Sequence, residues 1–214
     1  MGDTEVMWKG AAGSAIASAG LYAARRYYRN WGTSKEECET PLPGDELVDQ
    51  PVMQTTEGVW IEAPGAEVWP WLVQMGQDRG GLYSYEKLEN LIGLKRRNAD
   101  RIHPEWQQLA VGDVVRVVPP GWLGLPEGVG LPVVRLIDGE SIVLRMQPPD
   151  LPVDGVWSFH ILPRSEDRCR LLVRTRLRMR VPGEAIGAEA AGPVMSLMTR
   201  GMLMGIKRRV EQSS

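Results

Sequence analysis

The segment from residue 168 to residue 181 restricts the fold of this chain more than any other part of the sequence. One phase of the segment holds Leu171, Val173, Thr175, Leu177, Met179 and Val181, and the other holds Arg174, Arg176, Arg178 and Arg180. Successive side chains of a β-strand point to opposite faces, so this alternation predicts a strand with one buried face and a basic outer face.

Further segments of β-forming residues precede this strand at short intervals. We place strands at 55–62, 113–118, 131–137, 141–147 and 154–162. Asp138-Gly139, between two of them, is a strong signal for a tight hairpin turn. Strands that follow one another so closely leave no room for crossover helices, so the sequence predicts a curved antiparallel sheet of about six strands.

Helical periodicity begins after Pro182-Gly183 and continues to about residue 212. The predicted inward positions of this helix are Val194, Leu197, Met198, Met202 and Ile206. Two shorter helices are predicted before the second strand, one over 68–75 that contains Pro70 and one that follows Ser84 and ends at Gly93. The predicted fold class is α+β, with the sheet wrapped around a long C-terminal helix.

Composition argues against several classes of function. A formal net charge of -2 predicts no affinity for nucleic acid, which usually requires a strongly basic surface. Cys38 and Cys169 are far apart and indicate free thiols in a reducing compartment, so we expect a cytoplasmic protein. His103 and His160 complete the soft metal ligands, and nothing clusters them into the set of about four that structural zinc needs. We therefore expect neither a metal nor a cofactor.

Residues 1–31 contain a candidate membrane anchor. An uncharged run from Gly10 to Ala24 is followed by Arg25, Arg26 and Arg29 among aromatic residues, a combination that a membrane interface favours. As a helix the run would span ~22 Å, less than the ~30 Å hydrocarbon core of a bilayer. Two interpretations stay open: a weak anchor with the main domain on the cytoplasmic side, and a surface helix of a soluble protein.

Residues 32–53 form the connection to the main domain. They are polar and acidic, and Pro41, Pro43 and Pro51 interrupt them, which predicts a linker or an extended arm. The main domain is predicted to extend from residue 54 to residue 214.

Several runs of sequence carry a more specific comparison. They are Trp31-Gly32-Thr33, Pro41-Leu42-Pro43-Gly44-Asp45-Glu46, Val68-Trp69-Pro70-Trp71-Leu72-Val73-Gln74-Met75-Gly76, Gly80-Gly81-Leu82-Tyr83-Ser84-Tyr85 and Gly201-Met202-Leu203-Met204-Gly205-Ile206-Lys207-Arg208-Arg209. Through these runs the chain from Trp31 onward resembles a bacterial branch of the SRPBCC superfamily, which includes START-like and polyketide cyclase-like proteins. The resemblance implies the helix-grip fold, in which the final helix and the sheet typically enclose an apolar cavity.

This implied cavity leads to a functional hypothesis. Its candidate ligand-binding residues are Trp71, Tyr83, Tyr85, Trp106, Trp157, Met198 and Met202. Aromatic side chains suit a pocket mouth and methionines adapt to irregular ligands, although each of these residues can also be part of a packed core. The expected function is binding of an apolar, lipid-like or polycyclic small molecule. The alternative is a cyclase or dehydratase that acts on such a ligand.

The enzyme alternative requires a polar side chain that faces the cavity. His160 lies in the phase opposite to Trp157, Phe159 and Ile161, so it is predicted to be exposed. His103 and Glu105 form only a weak acid–base signal in a loop. The sequence therefore identifies no catalytic residue. It does not indicate the oligomeric state.

Two surface features have alternative interpretations. The arginine face of 168–181 is solvated, or it is paired with acidic residues of the protein, or it binds an anionic membrane surface or an acidic partner. The Pro- and Gly-rich loop 119–132 is a candidate lid over the cavity.

Overall fold

A computed structural model of the protein describes residues 25, 27–147, 153–179 and 184–213. Six strands form one antiparallel sheet in the order β1-β6-β5-β4-β3-β2. They are β1 (Met53–Ile61), β2 (Val114–Val118), β3 (Val129–Ile137), β4 (Ser141–Met146), β5 (Val153–Ser165) and β6 (Arg168–Met179). The predicted antiparallel sheet is confirmed.

Four α-helices accompany the sheet in the part of the chain from residue 32 onward that the structure describes. They are α1 (Lys35–Glu39), α2 (Gly65–Val73), α3 (Glu86–Leu91) and α4 (Glu184–Ser213), and short 3₁₀ turns lie at Asp45–Val48, Pro104–Trp106 and Trp122–Gly124. The 30-residue α4 packs across the concave face of the sheet, chiefly on the edge strand β1. The predicted α+β fold, with a long C-terminal helix held by a curved sheet, is confirmed.

The main hydrophobic core lies between the concave face, α2 and the second half of α4. Leu203 and Ile206 of α4 are fully buried in one cluster with Ile61, Phe159 and Leu171 of the sheet. Each fully buried side chain of this kind contributes about 1.5–3 kcal/mol of transfer free energy. This cluster fixes the position of α4 relative to β1.

Residues 32–53, which we name the arm, lie against the convex face of the sheet. Within the arm, α1 starts with a capping box: Ser34 Oγ accepts from the backbone N–H of Glu37, and the Glu37 carboxylate accepts from that of Ser34. A second, smaller apolar cluster of Val48, Val143 and Val156 joins the arm to the sheet.

The basic face of β6 is paired with acidic residues of the arm, which is one of the alternatives that the sequence leaves open, and part of this face is buried. Arg170 and Arg174 are each 1% exposed, and the arm covers them. Arg170 Nε donates to Glu37 Oε1 at 2.7 Å, and Arg174 Nη1 donates to Asp45 Oδ2 at 2.6 Å. Alternation distinguishes the two faces of a strand, but it does not reveal that a distant segment will cover the polar one.

His160 is also on the convex face, and the prediction that it is exposed is wrong. The residue is 1% exposed, and its two ring nitrogens lie 2.9 Å from Ser141 Oγ and Ser158 Oγ. Burial and, to a smaller extent, the positive charge of Arg174 lower the pKa of His160 to about 4. The imidazole is therefore a neutral, hydrogen-bonded group beneath the arm.

Both edge strands of the sheet are partly covered by other segments. At the β1 edge, Gly58 N donates to Trp31 O at 3.1 Å, and Thr33 Oγ1 donates to Thr56 O at 2.9 Å. This approach is so close that a Cβ on Gly32 would lie 2.3 Å from Gly58 O. At the β2 edge, Gln77 N donates to Arg116 O at 2.7 Å.

The structure bears on the membrane hypothesis only through the part of the chain that it describes. No helix in that part is both long enough and apolar enough to cross a bilayer. The predicted anchor run, Gly10 to Ala24, lies outside the described residues.

Candidate functional site

The strand register arranges the concave face into rows that run across the sheet. Opposed residues of antiparallel neighbours share a face, so each row can be read from the strand pairs. The Glu57 row is Glu57, Val173, Phe159 and Ile142; the Trp157 row is Thr55, Thr175, Trp157 and Leu144; the Met146 row is Met53, Leu177, Gly155 and Met146.

Burial decreases from the Glu57 row toward the Met146 row. All four residues of the Glu57 row are buried. In the next two rows Thr55, Thr175, Trp157, Met53, Leu177 and Met146 are only half-buried. The concave face is therefore closed at the Glu57 row and becomes accessible toward the Met146 row.

Glu57 is a carboxyl group on the apolar face of β1, in phase with Val59 and Ile61. The residue is 2% exposed, and its Oε2 lies 2.8 Å from Ser196 Oγ and 3.8 Å from Arg200 Nε, both on α4. Burial raises the pKa of Glu57 to about 8, and it outweighs the opposing effects of Ser196 and Arg200. The carboxyl group is therefore mostly neutral at pH 7.

The hydrogen bonds of Ser196 are compatible with either form of the Glu57 carboxyl group. Ser196 Oγ also lies within hydrogen-bond distance of the carbonyl oxygen of Tyr28. A hydroxyl group has one proton and a carbonyl oxygen only accepts, so when Ser196 donates to Tyr28, a protonated Glu57 donates to Ser196. This chain of hydrogen bonds links β1, α4 and the segment that contains Tyr28.

Glu57 is not among the site residues that the sequence predicts. The available signal was its phase: within the predicted strand 55–62, Glu57 alternates with Gly58 and Trp60 and shares a face with the apolar Val59 and Ile61. A carboxyl group in the apolar phase indicates either that the strand ends there or that the acid is buried. Only the position of α4 in the fold distinguishes these two cases.

Three of the seven predicted ligand-binding residues lie together in the packed core. Trp71 and Tyr83 form an edge-to-face pair with ring centroids 5.7 Å apart, and the Tyr83 hydroxyl donates to Trp71 O at 3.0 Å. Burial raises the pKa of Tyr83 above its usual range. Met202 of α4 is buried in the same core.

The other four predicted residues lie apart from one another. The Tyr85 ring is partly exposed and packs over Gly201, and Trp106 stacks on His103 with ring centroids 4.2 Å apart. Met198 is half-buried on α4, one turn before Met202. Trp157 is the one member of the predicted set that lies in the rows beside Glu57.

The predicted pair of His103 and Glu105 lies outside the concave rows. His103 Nδ1 lies 3.1 Å from Glu105 Oε1 in a loop where the Glu105 side chain is exposed. Among the described residues, no group of three or more His, Cys, Asp or Glu side chains could hold a metal ion.

A surface groove of about 710 Å³ lies between residues 25–39 and Gln54. The cations in its wall are already paired, Arg25 and Arg29 with Glu189 and Lys35 with Glu39. Within the described lining, the groove thus offers no unpaired cation to an anionic ligand.

Comparison with known proteins gives only distant structural similarities. No sequence profile of a known family matches the chain, and no curated protein matches it. A protein of Thermobifida fusca overlaps with 74% of this chain and 93% of its own, at 16% identity and a TM-score of 0.49. Norcoclaurine synthase from Thalictrum flavum overlaps with 84% of this chain and 96% of its own, at 16% identity and a TM-score of 0.47. A conserved protein of Geobacillus kaustophilus overlaps with 75% of this chain and 97% of its own, at 16% identity and a TM-score of 0.46. The fold class of this chain rests on its own strand order and on the position of α4.

Proposed function

We propose that the protein binds a small, mainly apolar molecule between α4 and the Trp157 and Met146 rows, with one polar group of the ligand next to Glu57. The observation that carries this proposal is the buried Glu57 carboxyl. An uncompensated buried charge lowers stability, and strongly shifted pKa values concentrate at functional sites.

The spacing of the rows and strands sets the length of the ligand. Neighbouring rows are about 7 Å apart along the strands, and Trp157 on β5 lies two strands, or about 10 Å, from Glu57 on β1. A molecule that covers the Trp157 ring and reaches Glu57 with one end therefore spans about 12 Å. A neutral carboxyl group donates one hydrogen bond and accepts others, which suits a carbonyl or hydroxyl group on the ligand. A lipid-like or polycyclic molecule with one oxygen-bearing group fits this arrangement.

Filling the proposed site tests the proposal. Thr175→Trp places a large ring in the half-buried Trp157 row and should lower affinity for an anilinonaphthalene dye, and for any ligand that native mass spectrometry finds in protein from its own host, by about tenfold or more. Thr40→Trp, at an exposed position of the arm, is the matched control and should leave affinity unchanged. Equal affinity of Thr175→Trp and the unsubstituted protein would rule out this site.

A second candidate function is acid–base catalysis on the same ligand, in a cyclisation or dehydration. It is favoured by one observation, the Glu57 pKa of about 8, because a general acid or base works best when its pKa is close to the working pH. Once a ligand is known, Glu57→Gln should abolish turnover and keep binding within a few-fold. Turnover that survives this substitution would leave binding alone as the function.

A further inference from the structure

An apolar patch is present on the outer surface at α3 and the loop that joins β2 to β3. Leu91 is 82% exposed and Leu123 is 79% exposed, and Leu88 and Ile92 are exposed beside Leu91 on one face of α3. Trp122 Nε1 donates to Ile92 O at 2.8 Å, which holds the loop against the end of α3. We name these five residues the α3–loop patch.

The α3–loop patch lies at the end of the sheet where the concave face becomes accessible. In the antiparallel pair of β3 and β4, Ile137 is opposite Ser141 and Val133 is opposite Leu144. The start of β3, at Val129, therefore lies at the Met146 end of β4 and extends past it. The loop leaves β2 at Val118, which pairs with Val129 at that same end. The patch and the Met146 row therefore share one end of the domain.

The backbone of the loop presents Leu123 to solvent. Leu123 has φ +46°, a left-handed conformation that is disfavoured for a leucine, and Gly121 and Gly124 on either side also have positive φ. A buried side chain would offset this strain, but Leu123 is not buried in its own domain. The loop thus holds a large apolar side chain outward at some conformational cost.

Unpaired positive charges flank the patch. Lys87, Lys95 and Arg97 are exposed, and none of them forms an ion pair with a described residue. The nearby carboxylates of Glu86 and Glu89 are already engaged, with Asn98 N and Arg96, and Glu127 of the loop is exposed. Apolar side chains and a tryptophan beside free cations match the chemistry of an anionic membrane surface.

We infer that the α3–loop patch docks on an anionic lipid surface, with Leu91 and Leu123 inserted at the interface and the three cations next to lipid headgroups. Docked in this way, the accessible end of the concave face meets the bilayer, so an apolar ligand exchanges with lipid without crossing water. The exchange step rests on the proposed function, whereas the docking step does not.

Vesicle binding tests the docking step. Full-length protein should co-sediment with phosphatidylcholine vesicles that contain phosphatidylserine, and more weakly with pure phosphatidylcholine or at high salt. The double substitution Leu91→Asp and Leu123→Asp should weaken binding by about tenfold or more, since two apolar side chains lose their interfacial burial. Aspartate tolerates positive φ, so the fold should persist, as circular dichroism would show.

The matched control is Val111→Asp. Val111 is 62% exposed and lies in the turn before β2. The neighbouring Gly112 N–H donates to Val133 O, so this turn lies at the end of β2 opposite to the α3–loop patch. It should bind vesicles like the unsubstituted protein. No binding by the unsubstituted protein, or an equal loss in the control, would overturn the inference.

A site-specific label separates docking at the patch from binding elsewhere on the chain. With Cys38→Ser as background, an environment-sensitive dye on Leu123→Cys should shift to the blue when anionic vesicles are added, and a dye on Val111→Cys should not. An unchanged dye at position 123 would overturn the inference, as would a shift caused by self-association without vesicles. Neither vesicle co-sedimentation nor the fluorescence of the label requires a bound ligand. Failure of the proposed function would therefore appear only in the dye-binding assay on Thr175→Trp.

Discussion

Glu57 and His160 lie on opposite faces of the same sheet, and burial acts on both by disfavouring the charged form. The pKa of the acid rises from 4.5 to about 8, and the pKa of the base falls from 6.5 to about 4. The consequences for stability have opposite signs. The contribution of Glu57 is fully present below pH 4.5 and lost as pH rises through 8, whereas that of His160 is fully present above pH 6.5 and lost as pH falls through 4.

Removal of the titration at Glu57 should stabilise the protein at alkaline pH. Glu57→Gln keeps the shape and hydrogen-bonding capacity of the neutral acid, so at pH 8 and above it should raise the free energy of unfolding by on the order of 3–5 kcal/mol. Below pH 4.5 the difference should vanish. Urea unfolding at several pH values measures it, with the exposed Glu62→Gln as control. A pH-independent difference would show that Glu57 does not titrate as described.

The buried imidazole should produce an acid-sensitive loss of stability. Relative to His160→Gln, the unsubstituted protein should lose about 3 kcal/mol of its stability as pH falls from 6.5 to 4, because the unfolded chain takes up a proton that the folded chain excludes. His103→Gln, in the loop, serves as the comparison. If His160→Gln shows the same acid profile as the unsubstituted protein, another group accounts for acid sensitivity.

At the scale of elements, the arm shows how a polar strand face becomes an interior. Arg174 fixes three parts of the arm: it donates to the carbonyl oxygens of Glu37 and Thr40 and to the carboxylate of Asp45. An arginine can satisfy so many acceptors because its guanidinium group carries five donors in a fixed plane. The arm is therefore held by directional hydrogen bonds together with the burial of a few apolar side chains, Leu42 and Val48.

Loss of this arginine should release the arm. Arg174→Met leaves buried carbonyl groups and Asp45 without a partner, and we expect a destabilisation of about 3–5 kcal/mol together with faster proteolysis within residues 32–53. Arg178→Met, on the same face of β6 but exposed and paired with Asp49, should cost less than about 1 kcal/mol. Thermal unfolding and limited proteolysis provide the two measurements. Equal effects of both substitutions would contradict the role assigned to Arg174.

For the whole molecule, local sequence patterns predict the helices and strands, whereas long-range packing determines which polar residues are buried at the candidate site. The strand 168–181 and the helix after residue 183 were predictable because each pattern repeats over many residues. The burial of His160 and Arg174 was not, since it depends on an arm more than a hundred residues earlier in the chain. The burial of Glu57 was not predictable for the same reason, because its environment is formed by Ser196 and Arg200 of α4.

The covered edges of the sheet have a consequence for how copies of this protein meet. An open edge strand is a template for strand addition, and long apolar edges promote aggregation. At β1 the Gly58 N–H is already bonded to Trp31, and at β2 the carbonyl oxygen of Arg116 is already bonded to Gln77. Strand addition between two copies at these positions would first have to displace the covering segments. Residues 31–33 therefore disfavour polymerisation through the β1 edge.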